Sequence, residues 1–239
     1  MILPHRWPGE AVEAVLVARP NKFLAVCRMG RRTVEAHVPD RGRCLDLLVP
    51  GRGIALVAAA GPLRRTKYTA VLARSGEGTW VSLDPAGAPR LVEAALRRNL
   101  LASLEGFQVR RREVTISARR LKGRIDLLLG DAAGASLLCE VKSVGAQRDR
   151  IALFPDAPTL RGVRHLALLA ALARKGQPCA LVFCAQRGDV RAVAPDREID
   201  PAFAAALRRA GRAGVRISAL RCSARLEGMV LDQEIPVLS

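Results

Sequence analysis

Aromatic residues are scarce in this 239-residue chain: Phe, Trp and Tyr together make up 3% of it. That disfavours a protein that holds single-stranded nucleic acid by stacking successive bases on rings. No uncharged apolar run approaches a membrane span of roughly 18–25 residues. The opening "MILPHRWPGE" has neither the basic end, the apolar middle nor the small-residue cleavage site of a signal peptide. We therefore expect a soluble, cytoplasmic protein. The six cysteines (Cys27, Cys44, Cys139, Cys179, Cys184, Cys222) never form a Cys-x-x-Cys pair, and several sit within apolar runs as small hydrophobes would. Zinc and a disulfide framework are not expected. The phosphate-cradling loops Gly-x-x-x-x-Gly-Lys-Ser/Thr and Gly-x-Gly-x-x-Gly are missing, as is the Gly-x-Ser-x-Gly elbow of serine hydrolases, so nucleotide-driven work, dinucleotide redox chemistry and triad hydrolysis are unsupported.

Acidic residues are also few, 22 against 39 Lys and Arg, which leaves a net charge of +17 and a pI near 11.2. Such a balance favours a polyanionic partner, nucleic acid first. An arginine- and alanine-rich composition can also reflect a high-GC genome, with the charge merely solvated. Clustering argues against that as the whole explanation. Residues 97–124 hold Arg97, Arg98, Arg110, Arg111, Arg112, Arg119, Arg120, Lys122 and Arg124 against only Glu105 and Glu113.

Half the residues are hydrophobic, enough for a sizeable core. Residues 11–83 read as short β-rich runs parted by Gly, Pro and charged turns, which suggests a small all-β barrel. At "DPAGAP", 84–89, a turn or linker is expected, and we place a domain boundary there, with domains 1–84 and 85–239. Beyond it the periodicity predicts helix 90–104, strands 107–117, 123–129 and 136–143, helix 160–174, strand 179–185, helix 201–213 and strand 214–224. The passage from strand 136 through helix 160 to strand 179 is a crossover, which requires parallel strands. The second half is expected to be α/β.

The stretch "GRIDLLLGDAAGASLLCEVKS", 123–143, places charges inside two apolar strands. Alternation puts Ile125, Leu127 and Leu129 on one face and Asp126 on the other, and Glu140 and Lys142 on a shared face opposite Val141. With the turn centred near Ala133, Asp126 stands across from Glu140. Two opposed carboxylates in a half-buried place repel, and one must protonate unless a cation joins them. Hard oxygen ligands suit Mg²⁺ or Mn²⁺, with Lys142 beside the site to orient water or to stabilise charge on a phosphoryl transition state. The alternative is an ordinary arrangement in which Asp126 and Glu140 pair with Arg124 and Lys142 on a solvated sheet edge.

These residues resemble the PD-(D/E)xK nuclease core, with Asp126, Glu140 and Lys142 at its three motif positions. The stretch "CEVKSV…ALFPDAPTLRGVRHLALL", 139–169, together with "RREV…GRIDLLL", 111–129, and the tail "IDPAFAAALRRAGRAGVRISALRC", 199–222, resembles the sugar fermentation stimulation protein (SfsA) family. The resemblance implies an N-terminal OB-fold-like domain joined to a nuclease-like α/β domain, affinity for DNA, a proposed link to the regulation of sugar use, and a label of DNA/RNA nuclease. The N-terminal half departs from the family pattern: "HVPDRGR", 37–43, has Asp40 where an asparagine is usual. The loop "GPLRRTK", 61–67, keeps basic charge in Arg64, Arg65 and Lys67 but loses its asparagine.

Glu93, on the first helix of the α/β half, and Glu113, in "RREV", are candidate additional acids; Glu93 otherwise lies on a solvated helix face, and Glu113 otherwise pairs with Arg111. Arg161 and His165 share a face of helix 160–174 and are candidate phosphate contacts alongside Arg64, Arg65, Lys67, Arg111, Arg112 and Arg124. Asp156 is expected to cap or turn the chain before that helix, with Thr159 as N-cap. The reading that results is a Mg²⁺- or Mn²⁺-dependent nuclease cutting DNA, with RNA as a second substrate. Its alternative is a DNA-binding regulator that keeps the nuclease scaffold without cutting.

Overall fold

The computed structural model describes residues 4–59, 61, 64–118 and 121–238. Arg119 and Arg120 of the basic segment, and Pro62 and Leu63 of the 61–67 loop, lie outside the described residues. The first half contains β1 (His5–Arg6), β2 (Ala11–Asn21), β3 (Leu24–Met29), β4 (Arg32–His37), β5 (Gly53–Ala58), β6 (Tyr68–Arg74) and β7 (Trp80–Ser82). Strands β2 to β6 close into a five-stranded barrel in the order β4-β3-β2-β5-β6, sealed by a parallel pairing of β4 with β6. Alternation fills it: Leu16, Ala25, Cys27, Ile54, Leu56 and Ala70 point inward and are buried. Register shifts in β2–β3 and β5–β6 supply the bends that short strands need to curl.

The second half follows as α1 (Ala88–Leu96), β8 (Gln108–Ala118), β9 (Leu121–Gly130), β10 (Ser136–Val144), β11 (Gln147–Arg148), β12 (Ile151–Phe154), α2 (Leu160–Ala173), β13 (Cys179–Ala185), β14 (Ala192–Pro195), α3 (Pro201–Arg212), β15 (Arg216–Arg225) and β16 (Gly228–Ile235). A seven-stranded sheet runs β1-β16-β15-β13-β10-β9-β8, and β11-β12-β14 make a small second sheet. The pairs β10–β13 and β13–β15 are parallel, with α2 and α3 in their crossovers, and the remaining pairs of the large sheet are antiparallel. The first strand of the chain belongs to this sheet: His5 and Arg6 pair with Met229 and Gly228 of β16, not with the barrel.

Both faces of the sheet are covered, so all seven residues of β13 are buried. On one face α1 lays Leu91, Val92, Ala95 and Leu96 against Leu127, Leu129, Cys139 and Val141, and barrel residues Val57 and Val71 join the same cluster. On the other, Leu166, Leu169, Phe203 and Leu207 of α2 and α3 pack on Leu138, Leu181 and Phe183. The segment 84–89 is no loose linker: Asp84 caps a 3-10 turn, Pro85–Gly87, that runs straight into α1. Helix α1 ends at Leu96, short of the expected 104, because Asn99 takes a left-handed conformation (φ 49°) and the chain closes with Leu100 N–H donating to Ala95 O at 3.1 Å. Strands β11, β12, β14 and β16 were not expected. No helix among the described residues is long and apolar enough to cross a membrane.

Candidate active site

The β9–β10 ladder pairs Gly130 with Ser136, Leu129 with Leu137, Leu128 with Leu138 and Leu127 with Cys139. The next step of that register sets Asp126 opposite Glu140. There the ladder opens, and the Asp126 carboxylate takes over the backbone's role: Oδ2 accepts from Val141 N–H at 2.8 Å. Beyond this point β9 passes beneath α2, where a side chain on Gly123 would come within 3.0 Å of Leu168. The departure explains why Ile125 packs in the α2 cluster, against the expectation that it shares a face with Leu127 and Leu129.

Strand β10 lies between β9 and β13, so Glu140 is buried, with 2% exposure, and does not sit on a solvated edge. Its Oε1 accepts from Lys142 Nζ and also faces His165 Nδ1 at 2.5 Å. Its Oε2 is buried and has no hydrogen-bond partner among the described residues. Burial pushes the Glu140 carboxyl up, but hydrogen bonding and charge from His165 and Lys142 outweigh it and hold the group below its ordinary pKa. Asp126 moves the other way: burial and then the charge of Glu140 raise it, against the opposing pull of Val141 N–H and Lys142. Two carboxylates thus meet at the open end of a ladder, one kept ionised and one pressed toward its neutral form. A lone pair facing no donor, beside a second hard oxygen donor, fits a divalent cation. Among the described residues no group of three or more His, Cys, Asp or Glu is gathered for metal binding, so there Asp126 and Glu140 stand as a pair of acids.

The other predicted residues are placed less centrally. Glu93 is buried on α1, not solvated, and both its oxygens are engaged, by Arg97 and by Arg112. The structure does not bring it to Asp126 and Glu140: α1 covers the face of β10 that carries Cys139 and Val141. Glu113 is exposed and pairs with Arg124 at 3.6 Å, not with Arg111. Arg124 is therefore turned from Asp126, and of the expected edge ion pairs only Lys142 with Glu140 occurs. Arg64, Arg65, Lys67, Arg111 and Arg161 are exposed, while Arg112 is partly spent on Glu93. His165 is turned inward, 7% exposed, where it holds Glu140; the expected phosphate contact is replaced by a positioning one.

Two features escaped the sequence. Asp156 does not cap its own helix, a task that falls to Thr159, which accepts from Gly162 N–H at 3.0 Å; it reaches back 112 residues to accept from Cys44 N–H at 3.1 Å. Arg187 is fully buried, donating to Asp189 Oδ1 and Oδ2 at 2.7 and 2.8 Å and to Gly145 O at 2.6 Å, with Asp46 Oδ2 at 3.5 Å. Nothing local distinguishes Arg187 in "AQRGD" from a solvated arginine.

Family comparison agrees with this architecture. The sugar fermentation stimulation protein RE domain matches residues 87–228, and the SfsA N-terminal OB domain matches residues 17–83. A sugar fermentation stimulation protein homolog of Chloroflexus aurantiacus is 44% identical over 228 residues, covering 95% of this chain and 86% of its own. One from Moorella thermoacetica is 40% identical over 216 residues, covering 90% and 91%. Among solved structures, that of Pyrococcus furiosus SfsA in complex with Ca²⁺ superposes with a TM-score of 0.87 at 27% identity across 100% of both chains. The five-stranded barrel, the α/β half with its crossover helices and these matches together establish that the chain belongs to the sugar fermentation stimulation protein (SfsA) family.

Proposed function

We propose that this protein is a divalent-metal-dependent phosphodiesterase acting on DNA, with RNA as a second substrate, and that Asp126, Glu140 and Lys142 carry the reaction. The observation that bears most weight is the Glu140 carboxylate, with one oxygen held by Lys142 and His165 and the other buried without a donor beside Asp126. The Ca²⁺ of the Pyrococcus furiosus relative supports a cation in this family. In this reading Asp126 and Glu140 hold Mg²⁺ or Mn²⁺, which supplies charge neutralisation at the phosphate and a more acidic water. His165 keeps Glu140 turned toward that site. Lys142, only 12% exposed and paired with Glu140, can donate a hydrogen bond to the oxygen that gains charge as the phosphodiester bond breaks.

The net charge of +17 and the exposed Arg64, Arg65, Lys67, Arg111 and Arg161 support a polyanionic substrate held through its backbone. Binding is then weakly sequence-specific and falls steeply as salt rises. The regulator reading, a DNA-binding protein that does not cut, draws on one observation: Lys142 is paired to Glu140 and not free.

The deciding experiment incubates labelled single- and double-stranded DNA with the wild type and with Asp126→Ala, in Mg²⁺, Mn²⁺ or chelator. Cutting that needs metal and is lost in the variant supports the nuclease. Salt-sensitive binding without cutting under every condition replaces it with the regulator.

A further inference from the structure

Two clefts meet at Arg41 and Gly42, in the loop between β4 and β5. The inner one, of about 480 Å³, follows the end of β10 and is lined by Lys142, Ser143, Phe154 and Asp156 among others. The outer one, also about 480 Å³, lies on the barrel and is lined by Arg19, Asn21, Lys22, Arg43 and Leu45 besides the two shared residues. A path therefore leads from Lys142, over Arg41, to the β2–β3 turn that carries Lys22. Arg64, Arg65, Lys67, Arg111 and Arg161 line neither cleft.

Four of the seven residues lining the outer cleft are cations and none is acidic. Lys22, Arg41 and Arg43 are exposed, and among the described residues none of them is ion-paired. By contrast Arg74, Arg97, Arg112, Arg124 and Arg148 are each held by a carboxylate. The inner cleft does contain two acids, Asp40 and Asp156, but both are turned to loop backbone: Asp40 Oδ1 accepts from Gly42 N–H at 2.8 Å, and Asp156 Oδ2 accepts from Cys44 N–H. Arg41 and Lys142 offset their charge on the same lining. Positive charge grows along the path from the candidate site outward, as a polyanion leaving that site requires.

The loop that carries this charge is gripped from both halves of the chain. Arg19 of β2 donates to Gly42 O at 3.1 Å, to Lys22 O at 3.2 Å and to Arg43 O, while Asp156 holds Cys44 from the turn before α2. Gly42 permits the approach, since a side chain on it would collide with the Asp156 carboxylate. Held in this way, the loop turns Cys44 inward and leaves Arg41, Arg43 and Leu45 exposed. Lys22 stands over the exposed Phe23 ring at 5.0 Å, which steadies its long side chain. Cations fixed before binding cost less to order when a ligand arrives.

We infer that Arg41, Arg43 and Lys22 form a phosphate track that carries the nucleic-acid strand from Lys142 across the barrel. This inference rests on the nucleic-acid reading of the site but not on cleavage. Successive phosphates contact the three cations, and Leu45 lies against the sugars between them. The substrate class is narrowed accordingly to polynucleotides that extend past the phosphate at Lys142, since a dinucleotide cannot occupy the track.

The test measures binding of a long labelled DNA strand by the full chain over a salt series, in chelator so that nothing is cut. The variant K22A/R43A, altered only at exposed side chains, should bind about 10–100-fold more weakly at low salt and lower the slope of log affinity against log salt by about 1.5–2. The control R208A/R209A removes the same charge from exposed positions on α3 and should leave the slope within about 0.5 of wild type. Equal losses in the two variants reduce the effect to net charge and overturn the track, as does unchanged binding in K22A/R43A. With Mn²⁺ restored, the loss should appear in the DNA concentration that gives half-maximal cutting; a loss confined to the rate at saturation overturns the assignment. If nothing cuts in Mg²⁺ or Mn²⁺ but the slope falls as stated, the nuclease reading fails and the track stands; cutting with an unchanged slope does the reverse. Failure to bind DNA at all overturns both.

Discussion

Glu140 sits at the point where local pattern and distant packing meet. Strand alternation and a turn centred near Ala133 put it opposite Asp126, and the observed ladder runs in that register up to Leu127 with Cys139, the step before it. The hand that His165 lays on it was not legible, because a single histidine on an amphipathic helix, 25 residues away, gives no sign of which way it points. Two measurements separate the roles of the two side chains that hold this carboxylate. His165→Ala should weaken Mn²⁺ binding by about 10–100-fold in calorimetry, the usual cost of losing the group that orients a metal ligand; unchanged affinity would reduce His165 to packing. Lys142→Ala should lower single-turnover cleavage by about 10²–10⁴-fold with DNA binding nearly intact, and an equal loss of both would deny it a part in the transition state.

At the scale of elements, the long and strongly periodic ones were the readable ones. Strands β8, β9, β10, β13 and β15 and helices α2 and α3 fall close to their predicted bounds, since each must bury an apolar stripe or both faces. Strands β12 and β14 were missed because each has only four residues and gains its pairing from the other across some 40 residues of chain. What anchors them is an aromatic cluster that the 3% aromatic content hardly suggests. Phe203 of α3 packs edge-on against Phe154 at 5.0 Å and Phe183 at 6.5 Å between centroids. Phe203 is fully buried, so Phe203→Ala should cost about 3–5 kcal/mol of stability, read by urea denaturation. Thr159→Ala, removing only the cap of α2, should cost about 1 kcal/mol by the same assay. A near-zero effect at Phe203 would mean that this layer is not cooperative with the rest.

At the scale of the whole molecule the two halves are docked, not tethered, and Arg187 is their buried pin. It joins Asp46, in the barrel loop between β4 and β5, to Gly145 just past β10 and to Asp189. Burial pushes the Asp189 carboxyl up, but hydrogen bonds and charge from Arg187 more than offset this and leave it below its ordinary pKa. Because the folded carboxyl is the stronger acid, the unfolded chain binds more protons between the two pKa values, and stability there rises with pH. The contribution is fully present above the ordinary carboxylate range and is lost as pH falls through the lowered value. Asp189→Asn should therefore destabilise the protein by about 3 kcal/mol at pH 7, where it strands a buried arginine, and the gap to wild type should narrow on acidification below about pH 4 in thermal melts. A gap that does not change with pH would assign the effect to packing.

The sequence by itself determined the class of each half, the register of the charged hairpin and the basic character of the surface. Alternation, helical period and net charge are properties of neighbouring residues, and burial demands act on them directly. Tertiary structure decided which of the charges matter to one another. Glu93 fell to a pair of arginines, Glu113 to Arg124, Asp156 to a backbone amide of the barrel loop and Arg187 to the boundary between the halves. Each of those choices depends on desolvation and on distances set by the packing of elements remote in the chain, and a charge read along a sequence carries no record of either.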